Sequence, residues 1–281
     1  MLPSGPDLNY FMSVAQLGSL SRAATQLGIA QPSLTLAMQR LEHNVGITLF
    51  VRSRQGVTLT KAGERLLIDT RELMQRWEQL KSQVLSTSNE VRGRFVIGCH
   101  PSVAIYSLPL FLPRLLEENP ALEIHLLHQL SRTITQKVVA LEVDVGIVVN
   151  PTPHPDLVIK NLCKDEVTLW ETPNLKNQDV LICEPSLLQT QDIMRKLAKQ
   201  GRKFGRAIEC SNLEVIVHLA LAGAGQAILP ERVARSVNTQ LRPVAGAPKF
   251  HDEICLIYRS EHRNVRTIQV LSSAIQKGFT R

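Results

Sequence analysis

Gln31, Thr35 and Gln39 recur at four-residue spacing, which places an amide, a hydroxyl and a second amide along one side of a helix. Groups of these types read duplex edges: glutamine can pair bidentately with adenine, and threonine can meet a base edge or a thymine methyl. Pro32, Leu36 and Arg40 stand beside them, and the stretch is almost free of acid. An ordinary solvated helix face would carry the same residue types, so this pattern alone leaves both readings open. The stretch that follows, residues 47 to 60, separates them. An apolar run leads into a turn carrying Arg52, Arg54 and Gly56, then the alternating Val57 and Leu59, which reads as a two-stranded wing tipped with arginine. A wing beside such a helix can lay its arginines along a phosphate backbone or into a minor groove.

Three short helices have to position that face. Asp7 is expected to cap the first, with Leu8, Phe11, Met12 and Ala15 on its apolar side and Gly18 at its end. Ser21 is expected to cap the second, which carries Ala23, Ala24 and Leu27 and stops at Gly28. The third begins at Gln31, tolerates Pro32 in its first turn, and repeats Leu34, Met38, Leu41 and Val45 on its inner side. Only Gly28, Ile29 and Ala30 join the second to the third, the connection length of a helix-turn-helix. Thr60 then caps a long helix running to about Ser86, in which Leu66, Thr70, Leu73, Trp77, Leu80 and Val84 form a heptad seam. One seam cannot satisfy itself, which argues for pairing with a second copy of the chain; packing on the rest of the protein is the competing explanation.

Composition sets the outer limits. With 281 residues, 44% apolar and 20% charged, the chain has room for two domains with real cores and lacks the signature of disorder. The longest apolar runs, such as Val145 to Val149, are far too short to span a bilayer, so no membrane partner is expected. Met1 to Tyr10 carries no secretory pattern, and the expected compartment is the cytoplasm. Five cysteines, at 99, 163, 183, 210 and 255, show no CxxC spacing, so neither a disulfide scaffold nor a metal site is implied. The net charge of +7 permits a polyanionic partner without locating it, because residues 1 to 66 hold only six basic side chains against three acidic ones.

Residues 8 to 64 resemble the LysR-type transcriptional regulators. The likeness rests on Gly18-Ser19-Leu20, Arg22-Ala23-Ala24, Gln31-Pro32-Ser33, Leu41-Glu42, Gly46, Leu49-Phe50, Arg52, and Leu59-Thr60 with Ala62-Gly63. It implies a winged helix-turn-helix in which Gln31, Pro32 and Thr35 approach bases while Ser33, Arg52 and Arg54 hold phosphate or the minor groove of double-stranded DNA. Three departures fall where sequence is read. Ala30 replaces the usual Ser or Thr cap, Leu36 a frequent polar residue and Lys61 a frequent Glu. Leu36 is therefore expected to touch thymine methyls, and it joins Gln39 among the expected DNA-facing residues.

From Arg94 onward strand-like and helical runs alternate, which predicts a parallel sheet covered on both faces. The expectation is an α+β two-part chain: a winged helix-turn-helix over 1–60, a linker helix over 61–90, and an α/β effector domain over 91–281. The effector domain is expected in two lobes, 91–160 with 259–281 and 161–258. The family's effector domain resembles periplasmic solute-binding proteins, and Ser211 to Pro230 carries the strongest local likeness. In open α/β sheets ligands settle outside the carboxyl ends of strands. That rule nominates Pro101, Ser102, Gln129, Ser131, Arg132, Asn150 and Gly225 as effector-binding residues. By the resemblance, Ser102 and the residues near Ser131 match positions that touch inducers. Arg132 can neutralise a carboxylate, which suggests an anionic effector; Ser102 can equally be a simple helix cap.

Other features carry less. Gly223-Ala224-Gly225 follows a helix and lacks a third glycine, so it makes a poor dinucleotide loop. His125 and His128 point to opposite sides of a strand, and nothing visible activates Cys163 or Cys183. The basic run Lys196, Lys199, Arg202, Lys203 and Arg206, near Cys210, reads as a solvated face. The resulting expectation is a ligand-responsive regulator, without cofactor or metal, that catalyses nothing. It would bind DNA as a homodimer or homotetramer and present a surface to RNA polymerase. The rival from another class is a solute-binding or catalytic α/β protein with a helical assembly segment; within the class, a regulator needing no small-molecule effector.

Overall fold

The computed structural model describes residues 4–53, 56–85, 91–173, 175, 177–237 and 240–280. The chain divides into two compact units, one ending at Ser88 and one beginning at Asn89.

The first unit holds α1 (Gly5–Leu17), α2 (Leu20–Leu27), α3 (Gln31–Val45), the hairpin β1 (Phe50–Ser53) and β2 (Gly56–Leu59), and α4 (Lys61–Leu85). Two caps differ from expectation. Ser4 caps α1, its Oγ accepting the Asp7 amide, so Asp7 lies inside the first turn. Its buried carboxylate takes both hydrogen bonds of the Arg40 guanidinium, at 2.6 and 3.1 Å, which also holds that carboxyl below its ordinary value. Ser19, not Ser21, caps α2. The left-handed Gly18 reverses the chain in a single residue, so the next helix can begin two positions earlier than expected.

Phe11, Val14, Ala23, Leu34, Met38, Leu41 and Leu49 fill the core of this unit. Glu42 extends from the inner end of α3, and its Oε1 accepts the Leu49 and Phe50 amides at 2.8 and 3.1 Å. Across the hairpin, the Val57 amide donates to Gly18 O, and a Cβ on Gly56 would stand 2.5 Å from that same oxygen. A side chain at position 56 would push the wing off the helices. Thr60 Oγ1 caps α4 and donates to Thr48 O. The first turns of α4 join the same core: Leu66 packs there, although the heptad pattern assigned it to pairing, and Thr70 is buried.

The second unit is built on one sheet. Its elements are β3 (Gly93–Cys99), α5 (Pro101–Ser107), α6 (Leu112–Glu118), β4 (Leu122–His128), α7 (Ser131–Val139), β5 (Val145–Val149), β6 (Leu157–Glu171), β7 (Val180–Cys183), α8 (Leu188–Lys199), β8 (Arg206–Glu209), α9 (Leu213–Leu221), β9 (Gln226–Pro230), α10 (Glu231–Ser236), β10 (Arg242–Pro243), β11 (Phe250–Arg259) and α11 (Arg266–Phe279). Strand order is β4-β3-β5-β11-β6-β9-β7-β8, with β10 on β6. β3, β4 and β5 run parallel at one end, and β7, β8 and β9 run parallel at the other. Between them β6 and β11 pair antiparallel over most of their length.

The sequence expectation covered only residues 166–170 of β6. Lys160, Asn161, Lys164 and Asp165 broke the apolar pattern that signals a strand, while the pairing with β11 continues through them. Alternate residues face opposite layers. Ile147 joins Ile97, Leu256 and Leu271 on one side, whereas Val148 joins Ile134, Val138 and Ile257 on the other. Trp170 and Leu169 divide the second end in the same way, between the layers of Ile182, Ile216 and Ala227 and of Leu181, Ile193 and Ile228. α11 returns to the first end through Ile268, Leu271 and Ile275.

Two carboxylates meet on the shared strands. Asp165 and Asp252 are direct cross-strand partners, next to the point where the β6–β11 register shifts. Both are buried, and burial pushes each up to about 6. Asp165 accepts the Arg232 amide, and Asp252 accepts Asn150 Nδ2 at 2.6 Å. Their ordinary value is 3.8, so between roughly pH 4 and 6 the fold retains protons that the unfolded chain has released, and stability falls as pH rises through that window. Thermal unfolding of Asp252→Asn between pH 4 and 7 should show a flatter fall and a gain of about 2 kcal/mol at neutral pH. An undiminished fall in the variant would contradict the assignment.

Candidate nucleic-acid and effector sites

The outer side of α3 begins with an open end. Ala30 offers no side-chain cap, Pro32 has no N–H, and the amides of the first turn are left to an external acceptor such as phosphate. Gln31, Pro32, Ser33 and Gln39 are exposed, and Thr35 is half-buried with its hydroxyl on Gln31 O. Leu36, 62% exposed, is the most open large apolar side chain of the protein's described residues. Arg40 leaves this face, because the buried Asp7 draws its guanidinium toward α1.

One partner was missed from sequence. Ser21 Oγ donates to Gln31 Oε1 at 2.8 Å, which orients the amide and leaves its NH2 to donate outward. The signal lies in the hydroxyl on α2 and the short turn after it; Ser21 orients Gln31 where the sequence predicts a helix cap. Arg52 is exposed on β1; Arg54 lies outside the described residues. Lys61 stands exposed at the start of α4. Further along this helix Leu73 and Trp77 are 57% and 55% exposed, while the side chains of Leu80 and Val84 lie outside the described residues.

In the second unit, the carboxyl ends of β4, β3 and β5 bring most of the expected effector residues to one edge. Pro101 and Ser102 open α5, Gln129 follows β4 and donates its amide to Cys99 O, and Ser131 and Arg132 open α7. Ser102 is not the cap of α5. His100 Nδ1 accepts the Ser102 amide, because Pro101 takes the first helical position and so places the cap two residues earlier, at His100. The Ser102 hydroxyl, 3% exposed, has no hydrogen-bond partner. Ser131 Oγ accepts the Val149 amide, and Arg132 is exposed.

Asn150 is committed to the scaffold. It adopts a left-handed backbone, φ 49°, and binds Asp252 and the Glu253 amide through both side-chain atoms. Gly225 lies at the opposite edge, before the amino end of β9, where a Cβ would strike Val180 O at 2.5 Å. Close packing of β9 on β7 explains that glycine, and the strand-end rule misplaced it because the loop enters a strand instead of leaving one.

The remaining candidates have structural partners. His128 approaches Cys99 Sγ at 3.8 Å, and no group of three or more metal-ligating side chains occurs among the described residues. Burial pushes the Cys183 thiol up to about 11 and that of Cys163 upward, away from thiolate chemistry. In the basic run, Lys196 pairs with Asp192 and Arg202 donates to Gln226. No described helix is long and apolar enough to cross a membrane.

Comparison with known proteins agrees with both halves. The family described as bacterial regulatory helix-turn-helix protein, lysR family, matches residues 6–64, and the LysR substrate binding domain matches residues 88–280. The HTH-type transcriptional regulator BbuR of Bordetella bronchiseptica is 33% identical over 287 aligned positions, covering 95% of this chain and 87% of that protein. Among solved structures, ArgP from Mycobacterium tuberculosis has the same fold, with a TM-score of 0.73 at 15% identity over 100% of this chain and 98% of that one. CbnR in complex with its target DNA gives a TM-score of 0.63 at 21% identity, covering 97% and 99%. The uncapped polar helix with its wing, followed by the strand-edge site of an α/β domain, is thus the arrangement of a LysR-type transcriptional regulator, and the chain belongs to that family, with a DNA-binding helix-turn-helix and an effector-binding domain.

Proposed function

We propose that α3 reads the major groove through Gln31, Pro32, Thr35, Leu36 and Gln39, while Ser33, Arg52 and Arg54 hold phosphate or the minor groove. The observation that carries this reading is the pairing of an unclosed helix start with an exposed Leu36, five residues along α3 from the oriented Gln31 amide. Leucine in that position costs solvent exposure and gains nothing within the protein. Against a thymine methyl it becomes a specificity contact. The DNA-bound form is a homodimer joined through α4, where Leu73, Trp77, Leu80 and Val84 continue the seam beyond the turns that Leu66 commits to the helix-turn-helix core. Dimers assemble further into tetramers, and RNA polymerase meets the complex in the cytoplasm. A small molecule between the lobes shifts the two parallel-strand ends about β6 and β11, which respaces the paired DNA-binding units.

Two measurements test this reading. Selection of duplexes from a random pool by Leu36→Arg should lose the preference for thymine at one or two positions, with a discrimination change of about 1 kcal/mol at each. An unchanged preference would remove Leu36 from the interface. Sedimentation of Leu73→Glu/Trp77→Glu should show a smaller species than the parent with retained helix content. Unchanged assembly would mean that α4 does not hold the dimer.

A further inference from the structure

The lobe built on β7, β8 and β9 ends its parallel strands in acid. Glu184 follows β7 directly, Glu209 is the last residue of β8 beside Cys183, and Glu214 lies in the first turn of α9. None of the three forms an ion pair among the described residues. Glu184 is buried and uses Oε1 to accept both the amide and the hydroxyl of Ser186. Glu214 has Oε1 wholly buried without a hydrogen-bond donor. A buried carboxylate oxygen lacking a donor is costly, and native folds retain such groups where something outside the chain supplies the partner.

The opposite strand edge holds a second, independent polar atom of the same kind. Ser102 Oγ, 97% buried, also lacks a partner. His100 links the two sides: its Nδ1 holds the Ser102 amide, and its ring lies within the field of Glu214 and Glu184. An accepting Nδ1 requires the ring proton on Nε2, and burial favours this neutral form, so His100 does not cancel the acidic charge. An incoming anion would find little at the start of α5, since Pro101 has no N–H and the Ser102 amide is occupied. The basic run Lys199, Arg202, Lys203 and Arg206 leads into the amino end of β8, at the far edge of the lobe. Arg132 is exposed on the first turn of α7.

We propose that the effector is a small organic cation whose ammonium, amidinium or guanidinium group donates to Glu214, with Ser102 Oγ as a further acceptor and Glu184 and Glu209 supplying the surrounding charge. This rests on the reading of the strand edge as the effector site and reverses the anionic class suggested by Arg132. An amino or guanidino head matches these acceptors because it brings both the charge and several N–H donors.

Thermal shift and titration calorimetry on the full chain, with potassium chloride matching ionic strength, test the inference. The probes are putrescine, agmatine, L-lysine and L-arginine against benzoate, citrate and glucose, each at millimolar concentration. At least one cation should raise the melting temperature and bind with measurable heat, and Glu214→Gln should weaken it at least tenfold. A single cooperative melt of the same variant without ligand shows that it folds. Ser102→Ala should weaken the cation by a smaller factor. If benzoate or citrate binds and the cations do not, the charge class is overturned while the effector site stands. If no probe of either sign binds, or if cation binding survives Glu214→Gln unchanged, the proposal fails at its central contact.

Discussion

The proposed recognition surface depends on one carboxylate oxygen. Glu42 Oε1 collects the Leu49 and Phe50 amides from the inner end of α3, so the helix that carries Gln31 and the strand that carries Arg52 are parts of one rigid piece. Hydrogen bonds to an ionised acceptor are about twice as strong as neutral ones, and two from consecutive amides fix direction as well as distance. The Gly56 approach to Gly18 closes the same piece from the other side. Asp7 completes it by drawing Arg40 to α1, which fixes α3 against the bundle and clears a large side chain from the outer face of α3.

The effector-binding domain is joined differently. Its two ends share the long antiparallel strands β6 and β11, whose register shifts at Ile254 and Cys255, and α10 of one end packs on α5 of the other, with Arg232 over the Tyr106 ring. Asp165 and Asp252, buried against each other there, are a stability cost in their ionised forms. The strand edges of this domain also hold buried polar atoms, Ser102 Oγ and Glu214 Oε1, that have no hydrogen-bond partner in the chain.

Much of this was legible in sequence where one local cause dominates. The three helices of the first unit follow from apolar spacing and from Gly18, Gly28 and Gly46, and the wing from its alternation and turn. The caps were not legible, since Ser19 and Ser21 are equally good cap residues and only the left-handed Gly18 decides between them. Arg40 looked outward on a helical wheel because its partner lies 33 residues away. In the second unit, strand ends located Ser102, Gln129 and Ser131 at one edge, but Asn150 serves the scaffold and Gly225 sits at the wrong edge. The acidic residues Glu184 and Glu214 carry no local motif. Their significance arises only when separate strand ends meet, which spacing along the chain does not encode.

The central claim, a duplex held by α3 and the arginine wing, is tested most directly by the salt dependence of DNA affinity. Fluorescence anisotropy of the full chain on a selected duplex, from about 50 to 300 mM potassium chloride, should give a steep linear loss in a log-log plot. Arg52→Ala should reduce that slope by about one for each Arg52 on the duplex. A flat plot, or a slope indifferent to Arg52, would contradict the account.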